Sequence, residues 1–191
     1  MPILHDFDKK DSESHASDVV AFVKAACVDF YEGYTIKDII EIPKGKSRLQ
    51  LLGVDFIVYL VIKRRSFDEK IRKEYIDIKL RFYSDSPPMN YDYSDILWEY
   101  ERNDRRHFKG WGEQTLLTDY ILYIFWPIHE ALWIPFVPAV RAWAKNKVEW
   151  LEEFGKVKAS NKGYKTLSCP VAITDFYEAI KCDSFYYIRE G

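Results

Sequence analysis

The chain has 191 residues, of which 48% are hydrophobic, 17% aromatic and 30% charged, a composition that excludes a wholly disordered protein and suits one domain with its own core. The 28 basic and 30 acidic residues leave a formal net charge of −2, so no global basic excess points to nucleic acid, and any such affinity would have to come from a local patch. Three widely spaced cysteines, Cys27, Cys169 and Cys182, form no C-x-x-C pair, which argues against a zinc site and a disulfide framework.

Residues 1–14 are polar, lack the apolar stretch of a signal peptide and are expected to be a flexible N-terminus ahead of a single domain spanning 15–191. From 14 to 33, Val19, Val20, Phe22, Val23, Ala26, Cys27, Phe30 and Tyr31 recur at helical spacing. Ser14 or Ser17 is placed to cap this helix and Gly33 to end it. Residues 35–43 read as a short strand or an irregular lead-in, and 44–48 (KGKSR) as a basic turn. Residues 51–62 (LLGVDFIVYLVI), 75–82 and 96–101 (ILWEYE) have the β-branched and aromatic content of strands, with the SPP turn at 86–88 before the last of them. Residues 115–125 read as helix passing into strand, 132–137 as a strand, 138–154 as a helix, 163–173 as a strand and 174–181 as a short helix. Strands in the middle with helices before and after predict a mixed α/β domain. The most apolar stretch, 116–140, contains Asp119, His129, Glu130 and three prolines, so it is not one membrane helix. A cytoplasmic protein with no membrane partner is expected.

The chemistry concentrates in two neighbouring strands. Asp55 is embedded in the apolar run GVDFIVYL, and Asp77 and Lys79 stand two apart in EYIDIKL, a spacing that puts both on one face of a strand. A charge inside a buried strand costs several kcal/mol, roughly, unless it is paired or binds a metal. One explanation is structural: Asp77 and Lys79 face solvent on a one-sided strand and Asp55 caps a loop. The other is a metal-dependent phosphodiesterase centre. Two carboxylates from adjacent strands suit Mg²⁺ (or Mn²⁺), with the Ile78 carbonyl as a further ligand. A lysine at the same rim can orient the attacking water or offset phosphate charge.

Asp55 followed by Asp77-Ile78-Lys79 resembles the signature of the PD-(D/E)XK nuclease superfamily, the restriction-endonuclease-like fold, although Val54 stands where the family usually has proline. The segments ILWEYERN, FKGWGEQTLLTDYILYIF, LWIPF with the helix after it, and KTLSCPVAI follow in the order found in small phage-type and bacterial members, so the resemblance spans about 17–180. It implies a central mixed β-sheet flanked by helices, and a Mg²⁺-dependent nuclease hydrolysing phosphodiester bonds in DNA. Asp55 and Asp77 would hold the metal and Lys79 would be the motif lysine. Homodimers are frequent among members that cut both strands.

Glu99 interrupts the next strand and is a candidate third acid or a solvent-facing glutamate paired with a cation. Asp18, Asp29 and Glu32 are the acids of the first helix, where many members carry one more. Gln114 with Tyr120 or Tyr123 matches a family glutamine and tyrosine only loosely. Trp111, between Gly110 and Gly112, suits either base stacking or an anchor in the core. Lys63, Arg64, Arg65, Lys70, Arg72 and Lys73, and then Arg102, Arg105, Arg106 and Lys109, crowd two connections. They make either a phosphate-binding rim or, with Asp68, Glu69, Glu101 and Asp104 among them, solvated hairpins. Two rival functions stand beside the nuclease: a catalytically inactive nucleic-acid-binding or assembly protein on the same fold, and an aromatic-rich interaction protein marked by an exposed apolar patch.

Overall fold

The computed structural model describes residues 17–43, 45, 47–63, 69–81, 94–103, 106–161, 164–180 and 187–189. The expected N-terminus 1–14, the turn at 86–88 and Cys182 lie outside them. The first helix, α1 (Ser17–Phe30), buries Val19, Phe22, Val23, Ala26 and Cys27 on one side, as the spacing predicts, and Gly33 beyond its end takes a left-handed φ of 83°. Then come β1 (Thr35–Glu41), a single helical turn α2 (Arg48–Leu51), β2 (Phe56–Lys63) and β3 (Glu69–Arg81). The helical turn replaces the start of the strand expected over 51–62. Ser47 caps it by accepting from the Gln50 amide, a local side-chain bond that favours a helix start over a ladder.

Next are β4 (Asp95–Asn103), the two-residue β5 (Phe108–Lys109), a 3₁₀ turn at Trp111–Glu113, β6 (Tyr120–Phe125) and β7 (Glu130–Pro135). Residues 115–119 are not helical, contrary to expectation: β6 pairs on both sides, parallel to β3 and antiparallel to β7. A strand buried in the middle of a sheet is continuously apolar and has no alternation to distinguish it from a helix. The chain closes with α3 (Phe136–Glu153), β8 (Val157–Asn161), β9 (Tyr164–Ala172), α4 (Ile173–Ile180) and β10 (Tyr187–Arg189). The helix α3 starts two residues before the expected position, with Pro135 at its N-cap and Pro138 in its first turn, where a missing N–H costs nothing.

The fold is mixed α and β, but it has two sheets where the sequence suggests one. The central sheet has order β1-β2-β3-β6-β7-β10, and a second has order β5-β4-β9-β8. Glu99 and residues 164–172 therefore belong to the second sheet. One face of the central sheet (Phe56, Val58, Ile76, Ile78, Leu122, Trp133) packs under α1. Its other face (Ile121, Tyr123, Leu132, Ile134) meets β4, β9, α3 and α4 through Trp98, Trp143, Cys169 and Phe176. Alternate residues of β3 thus face α1 or the second sheet. Among the described residues no helix is long and apolar enough to cross a membrane.

Candidate active site

Asp55 precedes β2, at the level where Phe56 pairs with Ile76. Its amide donates to the Ile76 carbonyl (2.8 Å), and its carbonyl accepts from Ile42 (2.7 Å). With the backbone so fixed, its Oδ2 accepts from the Ile78 amide at 2.8 Å. This bond crosses from β2 to β3 and sets the first carboxylate beside the second. Ile78 sends its side chain under α1, so only its backbone reaches the site.

Asp77 opposes Ile121 on β6 and faces the second sheet. It is only 3% exposed, which overturns the reading of a solvent-facing strand residue. Lys79, two residues on, donates from Nζ to Asp77 Oδ1 at 2.8 Å. The same ammonium lies 2.7 Å from Oδ2, yet at an angle that leaves Oδ2 with no hydrogen bond of good geometry. The Asp55 carboxyl also acts on Asp77 electrostatically. Burial pushes the Asp77 pKa up to about 7; Lys79 opposes this and Asp55 adds to it. For Lys79, burial works against the ammonium, but Asp77, Asp55 and Glu99 outweigh it and raise its pKa.

Glu99 reaches the site from β4 of the second sheet. Its charge acts on Lys79. Among the described residues no three His, Cys, Asp or Glu side chains converge closely enough to hold a metal ion. The donor set for a metal is therefore the Asp55 and Asp77 carboxylates and backbone oxygen, all hard oxygen ligands of the kind Mg²⁺ takes. The buried Asp77 Oδ2 without a well-aligned donor fits a cation there, since positive charge favours the ionised form of both carboxyl groups.

Trp111 closes the site on one side, its ring 5.5 Å from Lys79 Nζ and packed edge-on against Trp98 at 4.6 Å. The glycines beside it make this approach feasible. A Cβ on Gly110 would collide with the Glu99 carbonyl, and one on Gly112 with Trp98 Nε1. The sequence leaves Trp111 open between stacking and core; the structure makes it a half-buried wall of the site.

The remaining candidates separate. Asp18 and Asp29 are exposed on α1, and Glu32 just beyond its end; the helix covers the sheet face opposite Asp77. Gln114 donates to the Lys109 carbonyl at 2.7 Å, tying down the turn. Tyr120 packs on Phe30 and Trp133 on the α1 face, while the Tyr123 hydroxyl accepts from Leu97 of β4 at 3.1 Å. Both tyrosines are structural. Of the basic candidates, Arg106, Lys109 and Arg102 are exposed near the β4–β5 turn and Lys70, Arg72 and Lys73 are exposed on β3. Arg64, Arg65 and Arg105, and the side chain of Lys63, lie outside the described residues.

Sequence reading misses several buried charges, Glu74 and Arg81 among them. Glu74 is 2% exposed on the α1 face, with Arg72 Nε 2.5 Å away. Burial raises its pKa to about 7, Arg72 opposing and Asp119 reinforcing the shift. Arg81 pairs with Asp95, joining β3 to the start of β4. Glu74 stands among five charges in six residues (EKIRKE), a run that conceals which one turns inward. Compared with protein-family models, with curated proteins and with solved structures, the chain matches none.

Proposed function

We propose that the chain is a metal-dependent nuclease on a restriction-endonuclease-like scaffold, hydrolysing phosphodiester bonds in DNA. The observation that carries this reading is the meeting of Asp55, Asp77 and Lys79 at one buried point, with an Asp77 oxygen lacking a well-aligned donor. Asp55, Asp77 and the Ile78 carbonyl would hold Mg²⁺ or Mn²⁺. Such an ion, when bound, polarises a phosphoryl oxygen and lowers the pKa of a coordinated water.

The chain's own residues do the rest. Asp77, Asp55 and Glu99 keep Lys79 charged, so its ammonium is available to orient the attacking water and to offset charge growing on the phosphate. Glu99 acts through Lys79 and is a positioning residue. Trp111 and the buried floor at Asp77 keep bulk water off one side, which strengthens each of these electrostatic interactions.

One observation favours the alternative of a catalytically inactive nucleic-acid-binding protein: among the described residues no third acid joins the two carboxylates closely enough for a metal, and the lysine already neutralises one of them. Incubation with linear, nicked, circular and single-stranded DNA separates the two, with Mg²⁺ or Mn²⁺ and with EDTA, beside Asp77→Asn. Metal-dependent cleavage that the variant loses establishes the nuclease, and the preferred DNA form separates exonuclease from endonuclease. No cleavage of any form, together with no metal uptake by calorimetry, refutes it.

A further inference from the structure

The β4–β5 hairpin carries side chains that the proposed chemistry does not use. Its turn is held by His107, which takes a left-handed backbone (φ 51°) and sets Nδ1 2.9 Å from Glu101 Oε1. The next residue, Phe108, is 54% exposed, and among the described residues it belongs to none of the apolar clusters. An exposed phenylalanine on a two-residue strand contributes little to the fold. Lys109 follows, exposed and paired across the ladder with Glu101. Arg102 and Arg106 are exposed on the same hairpin. The Gly110 amide then bonds to the Tyr100 carbonyl at 2.9 Å, and Trp111 comes to rest over Lys79. Within four residues this edge strand and the turn after it present a phenyl ring, a cation and an indole, the last of them beside Lys79.

We propose that this edge, Phe108 to Trp111, is a binding platform for an unpaired DNA strand entering the site. The occupant follows from chemistry. Exposed rings stack on base faces, and base faces are accessible only where the strand is unpaired; cations between the rings track its phosphates. A paired duplex hides its base faces and would meet Lys109 and the arginines alone. Phe108 stacks a base away from the scissile bond, Lys109 takes an intervening phosphate, and Trp111 bounds the nucleotide beside Asp77. The choice of DNA rests on the nuclease reading; the preference for unpaired bases rests on the hairpin.

The test is fluorescence anisotropy in EDTA with a labelled single strand of about 16 nucleotides, a length within the range single-strand-binding sites cover, and with its blunt duplex. Phe108→Ala is expected to weaken single-strand binding about 5- to 100-fold, the range of one lost base stack, and to leave duplex binding within about twofold. Phe108→Tyr should restore binding, and Lys109→Gln should weaken both forms and lower the salt dependence. Equal affinity of the wild type for both forms overturns the proposal. So does unchanged single-strand binding by Phe108→Ala, including the case where that variant instead dissociates a dimer. Because binding is read without metal, a failure to cleave DNA leaves a positive result standing. An active nuclease whose Phe108→Ala variant still binds single strands refutes the platform alone.

Discussion

Asp77 is the residue on which chemistry and stability pull in opposite directions. Burial and the Asp55 carboxyl both disfavour its ionised form, so the metal-free protein holds a charge at a cost. Asp77→Asn removes that charge while keeping the shape. It is expected to abolish metal-dependent cleavage and, in EDTA at pH 8, to leave Tm unchanged or raised; a large fall in Tm would mean the carboxylate is structural. Lys79→Ala is expected to slow cleavage about 10²- to 10³-fold, the usual loss for one oriented electrostatic group, with a much smaller change in DNA Kd. Equal losses in rate and affinity would mark a simple phosphate contact. Glu74 supplies a pH test away from the site. Its pKa is raised on folding, so the native state binds the proton more tightly than the unfolded chain. The stability this contributes is present in full below the ordinary glutamate range and is lost as pH rises through about 7. Glu74→Gln should therefore leave Tm unchanged at pH 4 and raise it at pH 8, a gain in stability of at most about 3 kcal/mol, less what the Arg72 pair contributes. A Tm difference that does not vary with pH would contradict this.

At the scale of elements, the site is a meeting of two ends. The start of β2 and the end of β3 bring the aspartates together, and β4 with its following turn supplies Glu99 and Trp111. The turn depends on two missing side chains. Gly112→Ala forces a methyl against the Trp98 indole, and Gly110→Ala forces one against the Glu99 carbonyl. Both neighbours are packed, Trp98 fully buried, so neither can yield at small cost. Each substitution should destabilise by about 1–3 kcal/mol, as overpacking does, and reduce cleavage by displacing Trp111. Circular dichroism melts and single-turnover rates check both; a melt unchanged by Gly112→Ala would show that the turn has room to shift. The strand that carries Glu99 is legible in the sequence, but its sheet is not. ILWEYE alternates as any one-sided strand does, and only the pairing of β4 with β9, about 70 residues later in the chain, decides where it lies.

For the whole molecule, metal binding links the site to global stability. A ligand that binds only the folded state stabilises it by about 2.7 kcal/mol at a concentration of 100 Kd, and for a chain of this size each kcal/mol is worth about 2–4 °C in Tm. Mg²⁺ or Mn²⁺ titration should raise Tm by several degrees in the wild type and not in Asp77→Asn. Equal shifts in both proteins would place the ion elsewhere.

Local patterning in the sequence determined α1, the strands β2, β3 and β4, the helices α3 and α4, and the D-x-K spacing that puts Asp77 and Lys79 on one face. Helical and strand periodicity are properties of a dozen residues or fewer, and the chain carries them wherever it folds. It also determined that Asp55 lies in an apolar setting, since its neighbours are apolar. Tertiary structure alone decided that Asp77 is buried and Lys79 is its partner, because burial depends on which face the second sheet covers. It decided likewise that the charge of Glu99 acts on Lys79, that α1 and its acids lie on the far side, and that Glu74 rather than its charged neighbours turns inward. Each of these turns on contacts between residues distant in the chain, where a single register step reverses every side chain.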